Sequence, residues 1–199
     1  MRTSRLEAFT DAVIAIAMTI LVLGLSNPEE GSIAALWALR HSFAVYLISF
    51  ATLAIYWINH HHLFQAARKV SGPVLWWNIV FLFCVSLVPF TTAWVGTDIF
   101  ARAAVFSYAL LMLLIDLVWL FLGRSLVAAH GRQSPLSSYL ENARKSIATI
   151  VVIGIGLALG WLWPPAAIIA CLVSLLLWMI PDKNIERFMR EGADKEESY

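Results

Sequence analysis

Residues 5–25 read RLEAFTDAVIAIAMTILVLGL. After Asp11 no charged side chain interrupts the run. From Leu6 to Leu25 it is long enough for a helix to cross a hydrocarbon core, which takes roughly 20 mostly apolar residues. Ser26-Asn27-Pro28 follows, a turn sequence that a helix does not easily continue through. Arg2 and Arg5 ahead of an apolar run are also how a signal peptide opens, but Asp11 lies inside this run and no small-residue cleavage site follows it. The stretch is therefore expected to be a retained first helix.

Five further segments have the same character: about 42–63, 74–95, 99–122, 147–163 and 166–180. Residues 33–39 form a shorter apolar stretch, expected as an interfacial helix or an extension of the second span. Pro89 predicts a kink in the third span. Trp163-Pro164-Pro165 leaves room only for a tight antiparallel hairpin between the last two spans. The longest connection is expected from Gly123 to Ser146, where Gly131, Ser134 and Pro135 fall. Residues 1–181 are thus one six-helix transmembrane domain, and 182–199 a charged cytoplasmic tail. No internal repeat or pair of half-helices suggests an inverted-repeat transporter.

Composition agrees. The 199 residues are 60% hydrophobic and 14% charged, where soluble domains carry about 45–50% and about 25%. That excludes a disordered chain, a disulfide scaffold and an ordinary cytosolic enzyme. A net charge of +1 implies no nucleic-acid partner. Cys84 and Cys171 both sit inside apolar runs. With the N-terminus inside, twelve of the 14 Lys and Arg residues are cytoplasmic, and Arg40 and Arg102 are the two outside. This positive-inside bias would be lost with an odd number of spans. The expected fold class is all-α integral membrane protein, multi-pass in the plasma membrane, with both termini cytoplasmic.

Polar groups within spans are costly and therefore functional candidates. They are Thr10, Asp11 and Thr19 in the first span, Asn59-His60-His61-His62 ending the second, Asn78 and Thr91-Thr92 in the third, and Asp116 in the fourth. At about 100° per residue, Ile16, Thr19, Ile20 and Leu23 share one face of the first helix. Ala8, Ala12 and Ala15 make a small-residue flank, and Asp11 points to a third side. Periodicity leaves open whether the apolar face meets lipid or another helix. Adjacent histidines diverge by about 100° and cannot converge on one ion from a helix. The spacing of a helical zinc pair is absent, and no other span offers a histidine for a haem. The expected arrangement is a His–Asp–Arg–Asn network at the cytoplasmic end, which would offset the cost of Asp11. Asp116 lacks a basic partner in sequence; a histidine or tryptophan N–H from another helix, or another subunit, is the expected source. No nucleophile–base pair, phosphate loop or metal signature is present, so no catalytic residue, metal or resident cofactor is expected.

The segment Arg5-Leu6-Glu7-Ala8-Phe9-Thr10-Asp11 resembles the R-x-x-x-F-S-D signature that opens the first helix of the transmembrane protein 175 family of lysosomal potassium channels. Tyr56-Trp57-Ile58-Asn59-His60-His61, followed by Leu63-Phe64, is similar to the family's second-helix ending. A single six-helix unit looks like the bacterial branch. Thr10 stands where serine is usual, keeping the hydroxyl and adding a methyl. The resemblance implies a homotetrameric cation channel, potassium-selective or weakly so, with first helices lining the pore and K+ as the permeant ion. It places the narrowest point at Ile16, a threonine layer at Thr19 and further apolar layers at Ile20 and Leu23. It makes Arg5, Phe9, Thr10, Asp11, Trp57, Asn59, His60 and His61 structural. The rivals are a proton-coupled transporter using Asp11, Asp116 and the histidines, and a haem- or metal-bearing redox protein. Proton permeation through the same pore also stays open.

Overall fold

The computed structural model describes residues 3–65, 67, 69–130 and 143–179. All regular structure among them is helical: α1 (Thr3–Leu23), α2 (Ile33–Ala38), α3 (Arg40–Gln65), α4 (Gly72–Ser86), α5 (Val88–Thr97), α6 (Arg102–His130), α7 (Ala143–Gly160) and α8 (Pro165–Met179). Helices are the expected solution where lipid offers backbone groups no hydrogen bonds. Among the described residues, four segments are long and apolar enough to cross a membrane: α1, α3, α4 with α5 as one stretch, and α6. α8 is a shorter apolar helix that pairs with α7.

Local chemistry sets the boundaries. Ser32 caps α2 by accepting from the Ala35 N–H at 3.1 Å, so the stretch before α3 is a short separate helix rather than an extension. α4 stops at Ser86 and α5 starts at Val88, one residue before Pro89. Proline lacks the N–H that would bond the Val85 carbonyl, and its ring crowds that carbonyl. The Leu87 N–H turns instead to Cys84 at 3.1 Å. Gly24 ends α1 against α5; a methyl there would stand 2.9 Å from Ala93 Cβ.

The helices of the fourth and fifth expected spans have other bounds than those read from the sequence. The fourth span begins at Arg102 rather than 99, because Asp98 folds the chain into a turn, its carboxylate accepting from the Phe100 N–H at 2.8 Å. It also runs to His130, so residues 123–130 are helix and not loop. Leu126 and Val127 are buried there, and this apolar face continues that of Leu122. The fifth span is Ala143–Gly160 rather than 147–163, with residues 161–164 in the turn before α8. Residues 131–142 and the tail from 182 lie outside the described residues.

α6 is the central element, packing on α4, α5, α7 and α8, with Val105, Tyr108, Ile115, Trp119 and Leu122 fully enclosed. α1 lies on α3, α4 and α5 at the edge of the bundle. In lipid such contacts rest on close packing and on polar groups rather than on water exclusion. α7 and α8 meet through small residues, Gly156 against Ala170 and Gly160 against Ala167.

Candidate functional site

α1 has two distinct faces. Leu6, Thr10, Ile14, Ala17 and Leu21, spaced by three or four residues, are buried against the bundle. The opposite side is bare: Ile16 is 58% exposed, Ile20 44% and Leu23 80%. Thr19 is exposed between them and donates to the Ile16 carbonyl at 2.8 Å. That bond fixes the hydroxyl on the helix and leaves its oxygen lone pairs facing outward. Ala8, Ala12 and Ala15 are exposed too, so a neighbouring helix can approach closely along that flank.

The motif residues separate into an inner and an outer group. Inside, Asn78 Nδ2 donates to Thr10 Oγ1 at 3.0 Å, and Asn78 Oδ1 faces His60 Nε2 at 2.9 Å. This amide orientation makes His60 Nε2 the donor in this network. The His60 ring lies 4.3 Å from that of Phe64 and also neighbours Phe81 and Trp119. The three residues join α1, α4 and α3 in the bundle interior. At the surface, Trp57 Nε1 donates to Asp11 Oδ1 at 2.9 Å, and the Trp57 ring stacks on His61. His61 in turn bonds Gln65 at 2.9 Å.

The expected His–Asp–Arg–Asn network thus becomes two separate sets. Asp11 is bound by an indole and not by histidine, and among the described residues no hydrogen bond or ion pair joins it to Arg5. Asn59 returns its amide to the Ile55 carbonyl of its own helix at 2.8 Å. Phe9 is exposed beside them. The divergence of successive side chains on α3 explains the split, since His60 and His61 cannot face the same neighbour.

Asp116 is also resolved differently from expectation. Its donor is neither histidine nor tryptophan but the Tyr56 hydroxyl, at 2.6 Å. A third buried cluster, absent from the sequence expectations, links Thr92 to Ser49 at 2.7 Å and Ser49 to Tyr108 at 3.0 Å. A signal for it existed. Ser49, Tyr56 and His60 fall on the buried stripe of α3 with Val45, Leu53 and Leu63, and a polar residue on such a stripe requires a partner.

A bundle of apolar helices joined by buried side-chain hydrogen bonds, with the first helix presenting a bare face, defines a polytopic helical membrane protein. The chain belongs to the TMEM175 family. A family model described as endosomal/lysosomal potassium channel TMEM175 matches residues 5–89. A protein from Chryseobacterium sp. (strain P1-3) named as a potassium channel is 38% identical, over 96% of this chain and 100% of its own. The crystal structure of a lysosomal potassium-selective channel TMEM175 homolog from Chamaesiphon minutus superposes with a TM-score of 0.78 at 28% identity, covering 89% of this chain and 96% of that one. The rat protein named endosomal/lysosomal proton channel TMEM175 is 37% identical over 49% of this chain but only 22% of its own length.

Proposed function

We propose that four copies of this chain form a potassium-permeable cation channel in the plasma membrane, with α1 of each copy lining a central pore. The observation that carries this is the orientation of α1. Ile16, Thr19, Ile20 and Leu23 are turned away from the protomer's own packing, and cyclic symmetry around an axis on that side would bring four such faces together. Relatives named potassium channels support the permeant ion. Each protomer would cross the membrane six times, with α4 and α5 counting as one span and α7 and α8 as one each. The excess of cytoplasmic lysine and arginine then sets both termini inside.

The chemistry follows from the residues. Four Ile16 side chains would make an apolar constriction that excludes a fully hydrated ion and dewets when narrow. No ring of backbone carbonyls replaces the lost water, so the ion that holds its water less tightly passes more easily. That ion is potassium rather than sodium. The Thr19 hydroxyls, one turn away, would hold partly hydrated ions beside the constriction. K+ is cargo, and no resident cofactor is required. Arg5, Phe9, Thr10, Asp11, Trp57, Asn59, His60 and His61 would be structural, setting how α1 leans on α3 and α4.

Purified protein in liposomes under a potassium gradient tests this. Passive flux that does not saturate, and that rises or loses selectivity in Ile16→Asn, is the expected result. Absence of flux from vesicles in which the tetramer is confirmed overturns it. Saturating flux that needs a coupled ion and disappears in Asp116→Asn would instead favour a proton-coupled transporter.

A further inference from the structure

The seam where α3 and α6 meet the α7–α8 hairpin forms a small, partly open cavity. Thr52, Tyr56, Met112, Cys171, Ser174 and Trp178 are among its walls, and about 20 Å³ of it is open to the centre of a water molecule. One water needs about that much room.

Polar groups with unfilled hydrogen bonds collect at this seam. Tyr56 donates to Asp116 Oδ1, leaving the lone pairs of its own oxygen free. Asp116, 1% exposed, lies behind Tyr56 rather than on the cavity wall. Trp178 Nε1 is buried without an acceptor. The Ser174 hydroxyl, on the cavity wall, bonds no other described residue. Unpaired buried polar groups each cost about 1–3 kcal/mol, so several in one place point to a bound partner.

The pattern also selects the partner. The indole N–H of Trp178 requires an acceptor, and the hydroxyls of Tyr56 and Ser174 take either role. A cation would place positive charge beside that N–H, and the Lys145 ammonium already lies 5.5 Å from the centre of the same ring. An apolar ligand satisfies none of the groups. Water satisfies all of them. We propose that each protomer holds an internal water at this seam, bonded to the hydroxyls of Ser174 and Tyr56, joining the α7–α8 hairpin to the core. The site is independent of the bare face of α1 and of ion conduction.

Radiolytic hydroxyl labelling of the full chain in lipid nanodiscs tests the proposal, because radicals form from water bound beside a side chain. Two matched pairs serve as internal standards. Tyr56 and Tyr108 are both buried, as are Cys171 and Cys84, but Tyr56 and Cys171 alone of these line the cavity. Tyr56 should label several-fold faster than Tyr108, and Cys171 than Cys84, with the excess lost in Ser174→Val. Equal rates within both pairs in the unaltered protein overturn the site. An excess that survives in folded Ser174→Val also overturns it, because the solvent would then reach these residues by another route.

Discussion

The Asn78 side-chain amide reaches Thr10 Oγ1 at 3.0 Å on one side and His60 Nε2 at 2.9 Å on the other. One residue of α4 therefore ties the first helix to the third, at a level where none of the three side chains meets solvent. The bare face of α1 lies opposite this bond. Whatever rotates α1 about its axis must break it first.

Asn78→Leu keeps similar bulk but leaves the Thr10 hydroxyl and the His60 imidazole without partners. Hydrogen bonds between membrane helices contribute about 0.6 kcal/mol on average and up to about 1.7. Two orphaned groups should bring the loss to about 1–3 kcal/mol. Thr10→Val should lose less than Asn78→Leu, and Thr10→Ser should be close to neutral. Unfolding of the purified protein in micelles gives the order; a neutral Asn78→Leu would show that the chain of bonds does not hold α1.

The Tyr56–Asp116 bond at 2.6 Å leads to a second expectation. Tyr56→Phe removes the phenol donor from a buried carboxylate, a loss of about 1–3 kcal/mol. Asp116→Asn should be milder, because the amide oxygen still accepts from the phenol. The two changes should not add in the double variant, since both act on one bond, which Asp116→Asn weakens and Tyr56→Phe removes. Additive losses in a double-variant cycle would contradict direct coupling.

Much of this was legible in the chain, and the rest was not for identifiable reasons. The apolar run after Asp11 is visible because a membrane-crossing helix requires length and lack of charge, both properties of one segment. The faces of α1 are visible for the same reason, since periodicity is local. The extension of α6 past Gly123 was hidden. Arg124 and Ser125 look like the end of a span, while the burial of Leu126 and Val127 depends on what packs beside them. Partner choice was hidden too. Asp116 is 60 residues from Tyr56, and Asn78 is 68 from Thr10. The sequence says that such groups need partners but not which helix supplies them.

The bare face of α1 makes a prediction about assembly. In a background with Cys84 and Cys171 replaced, Leu23→Cys should form disulfide-linked dimers under mild oxidation in membranes, since that position is 80% exposed in the protomer. Leu21→Cys, two residues away but buried on the α3–α5 side, should not. Thiols link only when their Cα atoms approach within about 7 Å, so the contrast reports facing copies of α1 and not random encounter. Equal cross-linking at both positions, or none at either, would argue against α1 facing its own copies.

Two glycines on α7 separate helix propensity from packing. A methyl on Gly156 would overlap the Ala170 methyl of α8 and come to 3.4 Å from the Ala166 carbonyl oxygen. A methyl on Gly154 meets nothing within 4 Å. Gly154→Ala should therefore raise stability by about 0.5–1 kcal/mol, the backbone entropy that glycine loses in a helix. Gly156→Ala brings the same entropic gain but forces the hairpin apart, and overpacking typically costs about 1–3 kcal/mol. Its net effect should be a loss. Combining Gly156→Ala with Ala170→Gly moves the methyl from one helix to the other, leaves the glycine count unchanged and removes the overlap. Unfolding midpoints should then return most of the way to that of the unaltered protein. If the double variant stayed as unstable as Gly156→Ala alone, the close approach of α7 and α8 at this level would not be what glycine serves.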